Sequence, residues 1–215
     1  WVQDILGRLD RSSDNEHCIC ILDTGVNVEH PLLFPFAEIS DQLTVTDDRA
    51  ATDNHGHGTE MAGLAMWGDL TDILGSNDVV TINHKLESVK VLDISGDNKD
   101  KLLGKVTSDA VATAEIANPD RTRTFSMSLS ADTGTERGRA SSWSSTLDSL
   151  AVDYLGEGET SRLFTVCVGN TRFNCFTPEV FPYPDFNQTQ DIHDPAQAWN
   201  VISVGAYTNK VRISE

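Results

Sequence analysis

Short apolar runs punctuate an otherwise polar chain, and turn-forming residues close them. Residues 17–22 (HCICIL) stop at Asp23-Thr24-Gly25, and residues 163–168 (LFTVCV) stop at Gly169-Asn170. Residues 89–92 (VKVL) and 201–206 (VISVGA) form two more such runs. Runs this short predict strands of a parallel sheet buried on both faces. Residues 125–130 (FSMSLS) predict a strand that turns small and polar at its end, and a short strand candidate lies near residues 43–45. Between the runs the apolar spacing becomes helical. It does so within residues 1–16 (Trp1, Val2, Ile5, Leu6, Leu9), over 106–117 up to Asn118-Pro119, and over 144–155 behind Trp143. A central helix opens at Thr59 or the glycines before it and runs to Trp67, with Gly58, Ala62, Gly63 and Ala65 as a stripe of small residues. Residues 26–53, 93–101, 131–142 and 171–199 predict loops, and residues 68–85 a surface excursion. Alternating strands and helices predict an α/β fold of three layers, a mainly parallel twisted sheet with helices on both faces. No repeat or composition break divides residues 1–215, which read as one domain.

The chain has 215 residues, enough for one such domain with a real core. It begins at Trp1 without a leader pattern and ends directly after a strand-like run, so a piece of a longer protein is expected. A formal net charge of −17 argues against binding nucleic acid through its phosphates. No apolar run reaches membrane-spanning length, so no membrane contact is expected. Cys18 and Cys20 share one strand face and are poorly placed to bridge each other. With Cys167 and Cys175 they read as reduced thiols of a cytoplasmic protein. Asn187-Gln188-Thr189 has the form of a glycosylation triplet, but nothing else points to secretion.

The candidate chemistry sits where the runs end. Asp23 closes one strand, His57 opens the central helix, and Asn170 closes a later strand. In a parallel sheet the carboxyl ends of the strands lie along one edge, where catalytic groups gather. A histidine can take a nucleophile's proton, an aspartate can fix its tautomer, and an asparagine amide can donate to a developing oxyanion.

These residues stand in motifs that resemble the subtilisin-like serine peptidases. Residues 21–26 (ILDTGV), continuing to His30-Pro31, resemble that family's aspartate motif, and residues 57–63 (HGTEMAG) its histidine motif. Residues 126–130 are similar to its substrate-binding strand, residues 168–170 (VGN) to its oxyanion asparagine motif, and residues 198–206 to the strand before its nucleophile. The resemblance implies a subtilisin-like fold and a serine-type endopeptidase with Asp23, His57 and Asn170 as catalytic residues. It implies that Ser128, Leu129 and Ser130 bind an extended peptide or protein substrate, and that the loop after Asn170 shapes a wall of the cleft. The family's G-T-S-x-A nucleophile motif does not occur in these residues. The serine is expected beyond Glu215, and the chain as given is expected to be inactive. Glu60 stands where many members carry a second histidine. The calcium-loop pattern is not recognisable in residues 68–85, so neither metal nor other cofactor is predicted. The combination is most similar to large intracellular bacterial subtilases, which implies a cytoplasmic location and a possible partner ATPase.

Three other readings use the same residues. Asp23, His55, His57 and Glu60 offer the donor atoms of a metal-dependent hydrolase. A subtilisin-like fold without its nucleophile would be a peptide-binding or scaffold domain. A nucleotide binder is disfavoured, because no G-x-G-x-x-G follows the first buried strand and Asp23 would repel a pyrophosphate there.

Overall fold

The computed structural model describes residues 1–11, 17–46, 50–93, 98, 100–131, 138–156, 158–170, 188 and 190–207. Cys175, Asn187 and Thr189 of the glycosylation-like triplet, and most of the loop after Asn170, with Pro178, Pro182 and Pro184, lie outside the described residues.

Among the described residues a six-stranded parallel sheet forms the middle layer. Its strands are β2 (His17–Asp23), β3 (Gln42–Thr44), β5 (Lys85–Lys90), β6 (Thr122–Met127), β7 (Leu163–Cys167) and β8 (Ile202–Val204), in the order β3-β5-β2-β6-β7-β8. Two very short strands, β1 (Leu9–Asp10) and β4 (Val80–Thr81), pair with each other in parallel. The helices are α1 (Val2–Gly7), α2 (His57–Trp67), α3 (Leu70–Gly75), α4 (Leu103–Ala117) and α5 (Ser142–Ala151).

Side-chain alternation along β2 divides the interior into two cores. Cys20 and Leu22 join Val89, Phe125, Phe164 and the inner faces of α4 and α5. Phe125 and Phe164 stack with ring centroids 5.1 Å apart. Ile19 and Ile21 face the other way, toward α1, α2 and the turn residues Leu32, Leu33 and Phe36. There Trp67 packs edge-on against Phe36, and its indole N–H donates to the Leu32 carbonyl at 2.8 Å. Helices therefore cover both faces of the sheet, as the alternation predicts.

Several boundaries differ from the sequence expectation. The run at 89–92 is the tail of a strand that begins at Lys85. Glu87, Ser88 and Lys90 give that segment a polar look, yet all three are fully buried. Glu87 can sit there because Arg123 grips its carboxylate, Nε to Oε2 at 2.6 Å and Nη2 to Oε1 at 3.2 Å. The strand expected over 125–130 runs three residues earlier, since the ladder with β2 starts at Thr122 opposite His17. Helix α5 starts at Ser142, where Ser141 and Ser144 form a reciprocal capping box, and it ends at Ala151. Residues 68–85 contain α3, capped by Asp69, and β4. On α2 the buried line is Gly58, Ala62, Met66 and Trp67; Gly63 and Ala65 are only half-buried.

Candidate active site

Every strand of the sheet points the same way, so β2, β5, β6 and β7 deliver their last residues to one edge. Asp23 is the final residue of β2 and is completely buried. His57 is the first residue of α2, which packs across β2. The His57 Nδ1–H donates to Asp23 Oδ1 at 2.7 Å, and the imidazole side chain is 37% exposed. The Thr24 N–H donates to the same carboxylate oxygen at 2.7 Å. Asp23 Oδ2 is buried without a partner among the described residues. Burial pushes the Asp23 carboxyl above the ordinary aspartate range, against the lowering pull of the His57 and Thr24 hydrogen bonds.

Glycine makes this approach possible. Gly25 has φ +97°, and a Cβ there would meet the Ala51 carbonyl oxygen at 2.5 Å. A Cβ on Gly58 would lie 2.0 Å from the Gly25 carbonyl oxygen and 3.2 Å from Asp23 Cβ. The first turn of α2 therefore rests directly on the backbone that follows Asp23.

Ser128, Leu129 and Ser130 lie past the end of β6, outside the ladder and half-buried. Leu129 packs on the α4–α5 core. Burial raises the Cys167 thiol pKa, the Gly169 backbone pulls it down in part, and the Asp23 charge raises it again. Asn170 is exposed in the turn after β7, two strands from β2, behind Gly169 at φ +92°. Among the described residues no hydrogen bond links Asn170 to Asp23 or His57. The contacts thus bring Asp23 and His57 together and leave Asn170 along the same edge.

The arrangement suits proton transfer. A carboxylate accepting from Nδ1–H leaves Nε2 as the basic nitrogen, and the exposed ring can present it to a cleft. His55 does not share this role: its ring lies edge-on to His57 at 6.4 Å, and its backbone N–H donates to Asp53. Among the described residues no three His, Cys, Asp or Glu side chains are grouped to hold a metal ion.

Two polar residues at this edge carried no role in the sequence reading. Asp53 is 6% exposed and accepts hydrogen bonds from both sides of the Asp23–His57 pair. Lys90, fully buried at the end of β5, donates to the Thr52 carbonyl at 2.8 Å and pairs with Asp93. The available signal was an aspartate a few residues before a helix start, a position where carboxylates cap.

The sequence model of the subtilase family (peptidase S8) matches residues 14–215. The chain belongs to the subtilase family. Subtilisin-like protease 3 of Pseudogymnoascus destructans is 32% identical over 127 residues, covering 57% of this chain and 28% of that protein. A subtilisin-like protease of Coccidioides posadasii is 34% identical over 87 residues, 40% of this chain and 19% of that protein. The chain thus spans under a third of the length of these curated relatives. The solved structure of the S41 psychrophilic protease superposes with a TM-score of 0.54 at 23% identity, over 92% of this chain and 55% of that one. At that identity the likeness speaks for the subtilase fold.

Proposed function

We propose that this subtilase domain is a serine-type endopeptidase that cleaves peptide bonds with an Asp23–His57–serine triad. The observation that carries the reading is the 2.7 Å hydrogen bond from His57 to a fully buried Asp23 carboxylate at the carboxyl edge of a parallel sheet. In this reading His57 removes the proton of a serine hydroxyl supplied by sequence after Glu215 and later protonates the leaving amine. Asp23 holds the imidazole in the Nδ1–H tautomer and stabilises its cation. Asn170 donates to the tetrahedral oxyanion, a contact worth roughly 2.7–4 kcal/mol in the transition state. Ser128 to Ser130, free of the sheet ladder, pair their backbone with an extended substrate as an added strand. The 215 residues alone are then inactive. A cytoplasmic location is a separate part of the proposal, and the buried free thiols of Cys18 and Cys20 support it.

The test is hydrolysis of an unstructured protein substrate by the longer protein that includes the sequence after Glu215. His57→Ala there is expected to lower kcat by about 10⁴-fold, since general acid–base help is lost at both proton transfers. Equal cleavage by parent and variant would end the assignment.

A further inference from the structure

Acyl transfer as proposed above gives Asp53 no part, yet its carboxylate accepts five hydrogen bonds. Oδ1 receives the Thr24 hydroxyl at 2.9 Å, the His55 N–H at 2.9 Å and the Gly56 N–H at 2.8 Å. Oδ2 receives the Thr59 N–H at 2.9 Å and the Thr59 hydroxyl at 2.7 Å. Thr24 directly follows Asp23, donates its own N–H to it, and accepts the Gly58 N–H on its hydroxyl at 2.9 Å. His55, Gly56, Gly58 and Thr59 flank His57 on both sides. One carboxylate therefore joins the turn that ends β2 to the first turn of α2.

The backbone around Asp53 is fixed from two other directions. Asn27 accepts the Asp53 N–H at 3.1 Å and donates its side-chain amide to the Asp53 carbonyl at 3.0 Å. Lys90 holds the preceding carbonyl, that of Thr52.

We propose that Asp53 is a positioning residue for the Asp23–His57 pair, clamping the end of β2 to the start of α2 so that imidazole and carboxylate meet at hydrogen-bond distance. All five partners are donors, so the site requires an acceptor at both oxygens. A carboxylate satisfies this, whereas an asparagine would turn its NH₂ against at least one backbone N–H, whichever way it is flipped. These bonds outweigh burial and hold the Asp53 carboxyl below the ordinary aspartate range. A helix cap alone would need only the bonds to Thr59 and the loop amides; the bond to Thr24 is the one that reaches the Asp23 side.

The inference rests on the peptidase reading, and the experiment separates the two. Asp53→Asn, Thr24→Val and the double variant are made in the longer protein. kcat and KM are measured on a peptide substrate, together with ¹⁵N shifts of the His57 ring, which report its Nδ1–H tautomer. Asp53→Asn is expected to lower kcat about 10²-fold with little change in KM, the scale of an ångström-sized misplacement. It is also expected to mix the His57 tautomers at temperatures where the far-ultraviolet dichroism is native. Thr24→Val is expected to lower kcat less, and the double variant to fall short of the product of the two single losses, because both break one clamp. A lower Tm with unchanged kcat and unchanged ring shifts would reduce Asp53 to a helix cap and overturn the proposal. If Asp53→Asn does not fold, unchanged kcat and ring shifts in Thr24→Val overturn it equally. If the parent cleaves nothing, the peptidase reading fails while the ring shifts still judge the clamp.

Discussion

Two fully buried carboxylates at opposite ends of the sheet, Glu87 and Asp23, are treated in opposite ways. Toward the amino ends of the strands, Glu87 and Arg123 are buried and their polar atoms are met by partners. Glu87 accepts from Arg123, Arg121 and Asn118, while Arg123 also donates to the carbonyls of Ala114, Asn118 and Arg121. Arg121 reaches on to Asp41 at 2.7 Å. Burial alone would lower both guanidinium pKa values, but the carboxylates hold them above the ordinary arginine value. At the carboxyl edge Asp23 is just as deeply buried, yet one of its oxygens has no partner among the described residues and burial dominates its titration. A compensated cluster holds secondary structure together. Under the proposed function, an under-compensated carboxylate beside an exposed imidazole is a charge kept for catalysis, at some expense of stability.

Substituting Asp23 by Asn should therefore have opposite effects on activity and stability. In the longer protein the loss of activity is expected to be about 10⁴-fold, from a wrongly oriented or wrongly protonated imidazole. The folded carboxyl titrates above its unfolded value, so the native state binds that proton more tightly and the ionised form destabilises the fold at neutral pH. Tm of Asp23→Asn is expected to exceed that of the parent at pH 7. The gap should close as pH falls through the folded pKa, where the parent carboxyl is also neutral. A lower Tm for the variant at pH 7 would break the contrast between Asp23 and Glu87.

Glu87→Ala probes the other end. It strands the buried Arg123 guanidinium and is expected to cost about 3–5 kcal/mol in urea unfolding. A loss under about 1 kcal/mol, the scale of surface pairs, would mean the cluster is not a structural anchor. The smallest effects come from two glycines on one helix. Gly58→Ala drives a Cβ into the Gly25 backbone and should cost about 1–3 kcal/mol, with some loss of activity through a shifted His57. Gly63→Ala meets nothing within 4 Å and should stabilise by about 0.5–1 kcal/mol. Equal effects at the two positions would show that α2 does not rest on the β2 turn.

Much of the layer plan was legible because burial on both faces leaves short uninterrupted apolar runs, as in 17–22 and 163–168. The strand Lys85–Lys90 was not, since four of its six residues are polar, and Glu87 and Lys90 take partners from the end of α4, from β6 and from the loop before α2. Asp23 and His57 could be picked out by their places at a strand end and a helix start. Asp53 and Thr24 could not, because a loop aspartate and a strand-end threonine have ordinary local explanations.

By itself the sequence determined the alternation of elements, the acidic surface, and which side chains stand at the carboxyl ends of strands. These depend on local period and composition, which act within a few residues. Only the tertiary structure decided which polar groups are paired. Glu87 finds Arg123 across 36 positions, and Asp53 joins Thr24, 29 positions away, to the turn that carries His57. A buried charge gains its partner only when the sheet register brings distant segments together. Whether that charge is neutralised or left poised therefore depends on the assembled fold.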